Sequence, residues 1–478
     1  MYSYLASQLM KHAQQKDLTV GTPWKVLLLF TLPIFLGNLI QMVYTWTDGV
    51  FLGQIGEESL AAASAAGSII YPATIFAQGL PIGLGNYTSQ LFGAKDEKGV
   101  RHSYGVSIII VLVAGLVLTL AALLLVPSFL KAGNIIPGTA IYDYAKVYMY
   151  IMLGGLLGAL FMYFYQNFLR AIGDSSLQFW TLAVYTALNI LLDFLFIFVG
   201  HLGVMGCALA YVISTVLASV ISYFWVYFKY PEFRLHKEDF KCDSAFVKAH
   251  LKIAVPLAAQ FSILAIGVMV MQGAVDGYGT DAINGYFAGS KVDNLLCTFI
   301  VAYGYALGAY CGQNYGAKQY KRVKDGITQA FIAWGIQTLI LMLVTFLVKD
   351  VAASFFLSNP TAKTVEYCRI YLYWDIVGYA CLGLIYLGRN ALSGIGKSSV
   401  SFISGVTEMV LRIVGSLAFA IPFGVVAALG AQSMAWIGAG LVNLFGLIIC
   451  IYANPLFKKN ELTEKETTLP QRDSSIVK

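Results

Sequence analysis

Charge is scarce in this sequence. Asp, Glu, Lys and Arg make up 12% of its 478 residues, about half of the roughly 25% that a soluble domain carries to cover its surface. A surface so poor in charge faces something other than water. Histidine is rare as well, and the 5 present (His12, His102, His201, His236, His250) show no metal-ligand spacing. The 7 cysteines (Cys207, Cys242, Cys297, Cys311, Cys368, Cys381, Cys450) form no CxxC pair, and most lie inside apolar runs. They read as small core packers and argue against a disulfide or zinc framework. Residues 1–25 lack the succession of basic n-region, apolar core and small-residue cleavage site of a removable signal peptide. No nucleophile–base arrangement is visible. The net charge of +6 is distributed over short loops and builds no face for nucleic acid, and no cofactor motif survives inspection.

What is present in abundance is apolar sequence: 58% hydrophobic residues and a mean hydropathy of +0.71. Long apolar runs recur from Trp24 to Leu447, each about 20 residues or more, enough to cross a hydrocarbon core as a helix. The pattern predicts twelve spans, at 24–50, 58–91, 103–127, 141–169, 177–200, 204–229, 251–277, 282–313, 327–348, 362–389, 398–421 and 429–452. The 46 glycines and the 30 tyrosines and 30 phenylalanines suit close helix packing and interface anchoring. An all-α integral membrane protein is the fold class this implies.

Lysine and arginine are unequally divided between alternate loops. One side takes Lys11, Lys16 and Lys25, then Lys95, Lys98 and Arg101, then Arg170, and next the group from Lys229 to Lys252. Lys318, Lys321, Arg322, Lys324, Arg389, Lys397 and the tail cations (Lys458, Lys459, Lys465, Arg472, Lys478) complete that set. The other side offers Lys131, Lys349 and Lys363, with Lys146 and Arg369. The asymmetry predicts a multi-pass plasma-membrane protein with both termini cytoplasmic. The implied division is an N-terminal segment (1–23), a six-helix lobe (24–229), a cytoplasmic linker (230–250), a second lobe (251–452) and a tail (453–478).

The two lobes are copies. At an offset of 223 residues Pro33 falls on Pro256, Gly56 on Gly279, Gly85 on Gly308 and Gln90 on Gln313. Gly93-Ala94-Lys95 falls on Gly316-Ala317-Lys318, Ile172-Gly173 on Ile395-Gly396, and Ser175-Ser176 on Ser398-Ser399, without a gap. Six helices repeated in the same orientation make a parallel repeat, whose halves are related by an axis along the membrane normal. Chance matching of small residues would not hold one register through so many anchors.

These turns resemble those of the multidrug and toxic compound extrusion (MATE) transporters. The similarity lies in Gln313-Asn314-Tyr315-Gly316-Ala317-Lys318 and its N-half copy. It also lies in Arg389 to Gly396 with Leu169 to Asp174 as the twin, and in Pro33 followed by Asp48 in the first span. The resemblance covers Trp24 to Leu447 and implies a two-lobed antiporter, driven by H⁺ or Na⁺ without a cofactor, that expels cationic or amphipathic small molecules. It is expected to act as a monomer.

Ionisable groups inside a membrane are costly and call for a reason. In the first span Asn38, Gln41, Thr45 and Asp48 are spaced 3, 4 and 3 apart, which places them on one helical stripe. Asn189 and Asp193 share a face of the fifth span. The DinF-like branch of the family resembles this arrangement, and the resemblance implies a cation site at Asp48, Asn189 and Asp193. Two carboxylates in a low-dielectric site cannot both stay ionised cheaply, so the pair would exchange a proton, or hold Na⁺ through oxygen ligands. The plainer alternative is that Asp48 lies near the end of its helix and is merely wetted. Tyr44 sits beside the stripe and is a cavity candidate. Tyr211 stands where some relatives place a threonine ligand, which weakens a simple transfer of a Na⁺ site. The seventh span lacks the glutamate of the NorM-like branch; its polar residues are Gln260 and Gln272, with Asp276 near its outer end, and Gln260 joins Asn38, Gln41, Tyr44, Thr45 and Tyr211 as a cavity candidate.

The C-terminal lobe carries other charges. Glu408 and Arg412 are one turn apart and read as a self-neutralised pair. Lys291 and Asp293 point to different faces, and Asp375 has no partner in sequence, so it would bind a cationic substrate or meet Lys291. Gly394-Ile395-Gly396-Lys397-Ser398 is a turn and not a phosphate loop, since no strand precedes it and Ala391 occupies the first glycine position. Gly79, Gly83 and Gly85 read as packing glycines. Two other functions compete: a flippase for lipid-linked saccharides, disfavoured because predicted cavity acids outnumber bases, and an intramembrane aspartyl enzyme using Asp48 and Asp193.

Overall fold

The computed structural model describes residues 17–133 and 135–457. Most of the expected N-terminal segment and tail, with Lys11, Lys16 and the cations from Lys458 onward, lies outside the described residues. Among these residues eleven single helices and one bent pair are long and apolar enough to cross a membrane, giving twelve spans. No strand occurs among them.

The first half contains α1 (Pro23–Ile55), α2 (Glu57–Gly93), α3 (Glu97–Ala132), α4 (Ala140–Gly154), α5 (Leu156–Ala171), α6 (Ser175–Phe194) and α7 (Gly203–Lys229). The second contains α8 (Ser244–Asp276), α9 (Thr280–Gly316), α10 (Tyr320–Val348), α11 (Ala362–Gly394), α12 (Ser398–Ile413) and α13 (Val425–Leu447). Side-chain caps start several of them: Asp96 accepts from the Gly99 N–H, Asp174 from Leu177 and Asp243 from Phe246. The helices turn large apolar side chains outward. Leu124 on α3 is 81% exposed, and Ile332, Ile336, Leu339 and Leu343 form an exposed stripe along α10. Buried serines, threonines and charged groups lie inside. That inversion is what a lipid solvent selects.

Three details differ from the hydropathy reading. The fourth span is α4 and α5, bent by 45° at Gly154-Gly155, where a side chain on Gly155 would come within 2.2 Å of Val212 on α7. Helix α8 begins at Ser244, so the irregular linker ends earlier than residue 250. Arg170 and Arg389, counted above among loop cations, lie within α5 and α11 and are buried.

The repeat is visible in backbone geometry. Lys95 and Lys318 both have φ 59°, and Gly173 and Gly396 both have φ 80°. Each lysine sits in a left-handed turn that closes its helix. The halves also exchange contacts in matched pairs. The first turns of α1 (Val26, Leu27, Phe30, Ile34) join the core of the second half beside Ile300 and Tyr303. Reciprocally, Ala254 and Ala258 of α8 join the core of the first half beside Leu80 and Leu84. Gly79 and Gly83 permit this: a side chain on Gly83 would come within 2.2 Å of the Ala254 Cα.

At the end of the bundle carrying the lysine turns, the halves meet backbone to backbone. Gln90 Nε2 donates to the Gly394 carbonyl (2.7 Å), and Gln313 Nε2 donates to the Ala171 carbonyl (2.8 Å). The two bonds are copies at the 223-residue offset. A strap continues the seal, since Leu18 N–H donates to Gln313 Oε1 and its carbonyl accepts from Asn314 and Arg322.

Candidate functional site

The stripe on α1 divides according to what faces it. Asn38 and Gln41 line internal cavities. Thr45 is exposed and returns its hydroxyl to the Gln41 carbonyl (3.1 Å). Asp48 is half-buried and faces α6 and α7, where one ligand atom each from Asp48, Asp193 and Cys207 fall within 4.8 Å of one another. Cys207 Sγ donates to Asp48 Oδ1 at 2.8 Å. Asp193 is 1% exposed, and its Oδ1 has no hydrogen-bond partner. Asn189, one turn earlier on α6, donates to Ser214 Oγ (3.4 Å) and leaves its own Oδ1 unpartnered. Tyr44 meets Tyr185 edge-on at 5.5 Å, and Tyr211 follows at 6.5 Å. This is an aromatic wall beside two carboxylates, with two acceptors unsatisfied. Buried acceptors without donors are costly, and a proton or a cation would relieve them.

Cys207, read from sequence as a packing residue, is therefore part of the acidic cluster. Its place on the face of α7 opposite Asp48 could be foreseen only by knowing which helices are neighbours.

In the second half Glu408 does more than pair with Arg412. Its Oε1 takes Arg412 Nη2 at 2.9 Å, and its Oε2 takes Arg389 Nη2 at 2.8 Å. Gln260, expected at the cavity, is fully buried. With its amide oxygen turned to Arg389 it accepts from Nη1 at 3.1 Å and Nε at 3.2 Å, while its nitrogen donates to the Ser401 carbonyl. One carboxylate thus serves two guanidiniums. Asp375 is fully buried and accepts from Ser433 Oγ at 3.3 Å; Lys291 instead lies over the Phe287 ring. Asp293 accepts from Cys297 Sγ (3.2 Å) and stands close enough to Asp375 to interact with it electrostatically.

A cavity of about 460 Å³ lies between the halves, bounded by Asn38, Tyr71 and Ile75 on one side and by α8, α9 and α11–α13 on the other. Tyr286, Tyr371, Tyr386 and Trp436 give it an aromatic wall, and Asp293, Glu408 and Arg412 touch it. Its size and mixed lining suit an amphipathic small molecule. A second chamber, of about 180 Å³, adjoins it at Asn38 and Val301.

Comparison with known proteins agrees with this architecture. The MatE family model matches residues 33–195 and 256–418, two stretches set apart by the same 223-residue offset. The probable multidrug resistance protein YpnP of Bacillus subtilis is 27% identical over 430 residues, spanning 90% of this chain and 92% of that one. An FAD transporter of Shewanella oneidensis is 25% identical over 400 residues, spanning 81% and 86%. Among solved structures, an outward-facing MATE family transporter of the MOP superfamily superposes with a TM-score of 0.85 at 20% identity, over 92% of this chain and 98% of that one.

Proposed function

Because this chain belongs to the MatE family, a family of multi-pass membrane transporters, we propose that it exports cationic and amphipathic small molecules in exchange for a cation. The observation that carries this reading is the acidic cluster of Asp48, Asp193 and Cys207 in the same bundle as an amphipathic cavity between two pseudo-symmetric lobes. Exchange needs a group that takes a cation in one state of the lobes and releases it in the other. Two adjacent carboxylates, one buried with an unsatisfied oxygen and one half-buried, answer that need.

The coupling ion is read as a proton. Cys207 is a soft, poor ligand for a hard ion such as Na⁺ and acts here as a hydrogen-bond donor. Tyr211, which fills the place of a threonine ligand in some relatives, packs against Tyr185. The excess of lysine and arginine on one side supports reading the lysine turns, and so the seal made by Gln90 and Gln313, as cytoplasmic together with both termini. In this conformation the cytoplasmic side is then closed, and rocking of the lobes about the seal gives alternating access. The division into lobes at 24–229 and 251–452 belongs to this reading, as does action as a monomer.

Efflux of a fluorescent lipophilic cation from proteoliposomes, under an imposed pH gradient or an imposed Na⁺ gradient, tests it. The pH gradient drives export by the wild type, and Asp48→Asn and Asp193→Asn both reduce it to the rate of protein-free vesicles. Unimpaired gradient-driven export by either variant would remove the cluster from the coupling role.

A further inference from the structure

Three arginines are buried among the described residues, and only two have an acid. Arg389 and Arg412 share Glu408. Arg170, 8% exposed near the end of α5, has no carboxylate partner; its guanidinium lies over the Tyr305 ring at 4.4 Å, and its Nε makes no hydrogen bond. The repeat accounts for the difference. At the 223-residue offset Arg389 corresponds to Gln166, and Glu408 corresponds to Tyr185. The first half has moved its arginine by one helical turn and has no acid where the second half keeps Glu408. A guanidinium buried in the protein without a counter-charge is costly and cannot shed its charge.

Arg170 lines the smaller chamber of about 180 Å³, whose other polar walls are amides (Asn38, Gln41, Gln78, Gln166, Asn167) and the phenols of Tyr163 and Tyr305, with no aspartate or glutamate. Gln166 is 6% exposed, and its Nε2 is a second donor without an acceptor. Gln78 instead spends its amide on the Tyr163 hydroxyl (3.0 Å). The chamber therefore offers a positive charge and a spare amide donor, and the acceptors in its wall are neutral amide and hydroxyl oxygens with no carboxylate among them. Its neighbour across Asn38 and Val301 is the large aromatic cavity.

We propose that Arg170, assisted by Gln166, binds the carboxylate of zwitterionic amphiphiles, whose apolar bodies occupy the larger cavity. This rests on the export reading and adds a site to it: the acid end of a cargo is received by the arginine of the first half that has no acid of its own. The planar guanidinium matches a carboxylate in two parallel hydrogen bonds, and a chamber of this volume takes such a group without the body that follows.

Rhodamine B, a zwitterion with a free carboxylate, and its ethyl ester, a cation of nearly the same shape, form the matched probes. Equilibrium binding of each to the purified full-length protein in detergent gives a zwitterion-to-ester affinity ratio. Loss of a charge-assisted pair predicts a ratio lower by about tenfold or more in Arg170→Gln, a smaller fall in Gln166→Leu and partial retention in Arg170→Lys. A ratio unchanged in Arg170→Gln overturns the proposal. Should that variant not fold, an unchanged ratio in Gln166→Leu overturns it equally. Export of both dyes from proteoliposomes separates the two readings. A ratio that responds to Arg170 in a protein exporting neither dye upholds the site and defeats the export reading; export of both with an unresponsive ratio does the reverse.

Discussion

At the scale of single residues, the account turns on which buried charges have partners. Glu408 holds two guanidiniums, Arg389 and Arg412, at 2.8 and 2.9 Å. Removing its charge would strand both, and breaking a buried pair costs about 3–5 kcal/mol. Glu408→Gln is therefore expected to melt well below the wild type in detergent, whereas Arg170→Gln, which removes a cation that has no acid, melts at or above it. Equal loss in the two variants would contradict this difference. Cys207 makes a subtler case. Cys207→Ser keeps a donor to Asp48 and sustains gradient-driven export, while Cys207→Val withdraws it and weakens coupling, which efflux at several pH values would register.

These residues also show how far the sequence could be read. Helical periodicity puts Asp48 and Asp193 each on a polar face of its own span, the family resemblance sets the two faces together, and in the structure the carboxylates lie within 4.8 Å. Cys207 was passed over because a contact between α1 and α7 leaves no period in the sequence. Arg170 falls just past the end of the span expected at 141–169, and Arg389 on the last residue of 362–389, because hydropathy falls before the helix ends. A helix continues through its polar last turn as long as its backbone hydrogen bonds are satisfied, and neither arginine breaks that pattern.

At the scale of elements, the spans were legible and their ends were not. Apolar length locates the membrane-crossing part of a helix, but the polar turns beyond it, as at Ser244–His250 on α8, belong to the helix without belonging to the lipid. The bend at Gly154-Gly155 was missed because two glycines in an apolar run fit a straight packed helix equally well. The matched seal between α2 and α9 carries a prediction of its own. A side chain on Gly93 would come within 1.9 Å of the Gln313 carbonyl oxygen, and one on Gly316 within 1.9 Å of the Gln90 oxygen. Both obstacles are backbone. Gly93→Val and Gly316→Val are expected to fold, because the clash lies between halves, yet to hold that end open and abolish export. Spin labels at the ends of α2 and α9 would show the separation; unchanged distances would disprove the seal.

The linker is held by a separate clasp. Asp239 receives Arg101 Nε at 2.8 Å and the His236 N–H at 2.7 Å. Burial by itself would raise this carboxyl, but the His236 N–H and Arg101 outweigh it and hold it below its ordinary value of 3.8. A depressed carboxylate contributes stability above the unfolded value and loses it as pH falls through the folded one. The clasp thus persists at neutral pH and opens only in acid below 3.8. Asp239→Asn opens it at pH 7, which trypsin would report as faster cleavage after Arg234, Lys237 and Lys241. Identical digestion of variant and wild type would count against the clasp.

At the scale of the whole molecule, the 223-residue repeat explains both the architecture and its asymmetry. Matched glycines, lysine turns and glutamine bonds preserve the hinge between halves, where both copies must fit each other. The charged residues are free to differ. Asp48, Asn189 and Asp193 correspond to Met271, Arg412 and Ser416, so the first half alone builds this acidic cluster, while the second half places its buried charge around Glu408 and in the separate pair Asp293 and Asp375. On this account the first lobe handles the coupling ion, and the cavity between the lobes handles cargo.

Obligatory exchange is the central claim, and counterflow measures it most directly. Proteoliposomes loaded with a lipophilic cation, with no pH or Na⁺ gradient imposed, would be diluted into cargo-free medium while internal pH is followed by a trapped dye. The account predicts that cargo leaving the vesicle drives protons inward, acidifying the lumen in the wild type and not in Asp48→Asn. Cargo efflux by the wild type with no movement of protons or Na⁺ would contradict it, and would identify a carrier that moves its substrate without exchange.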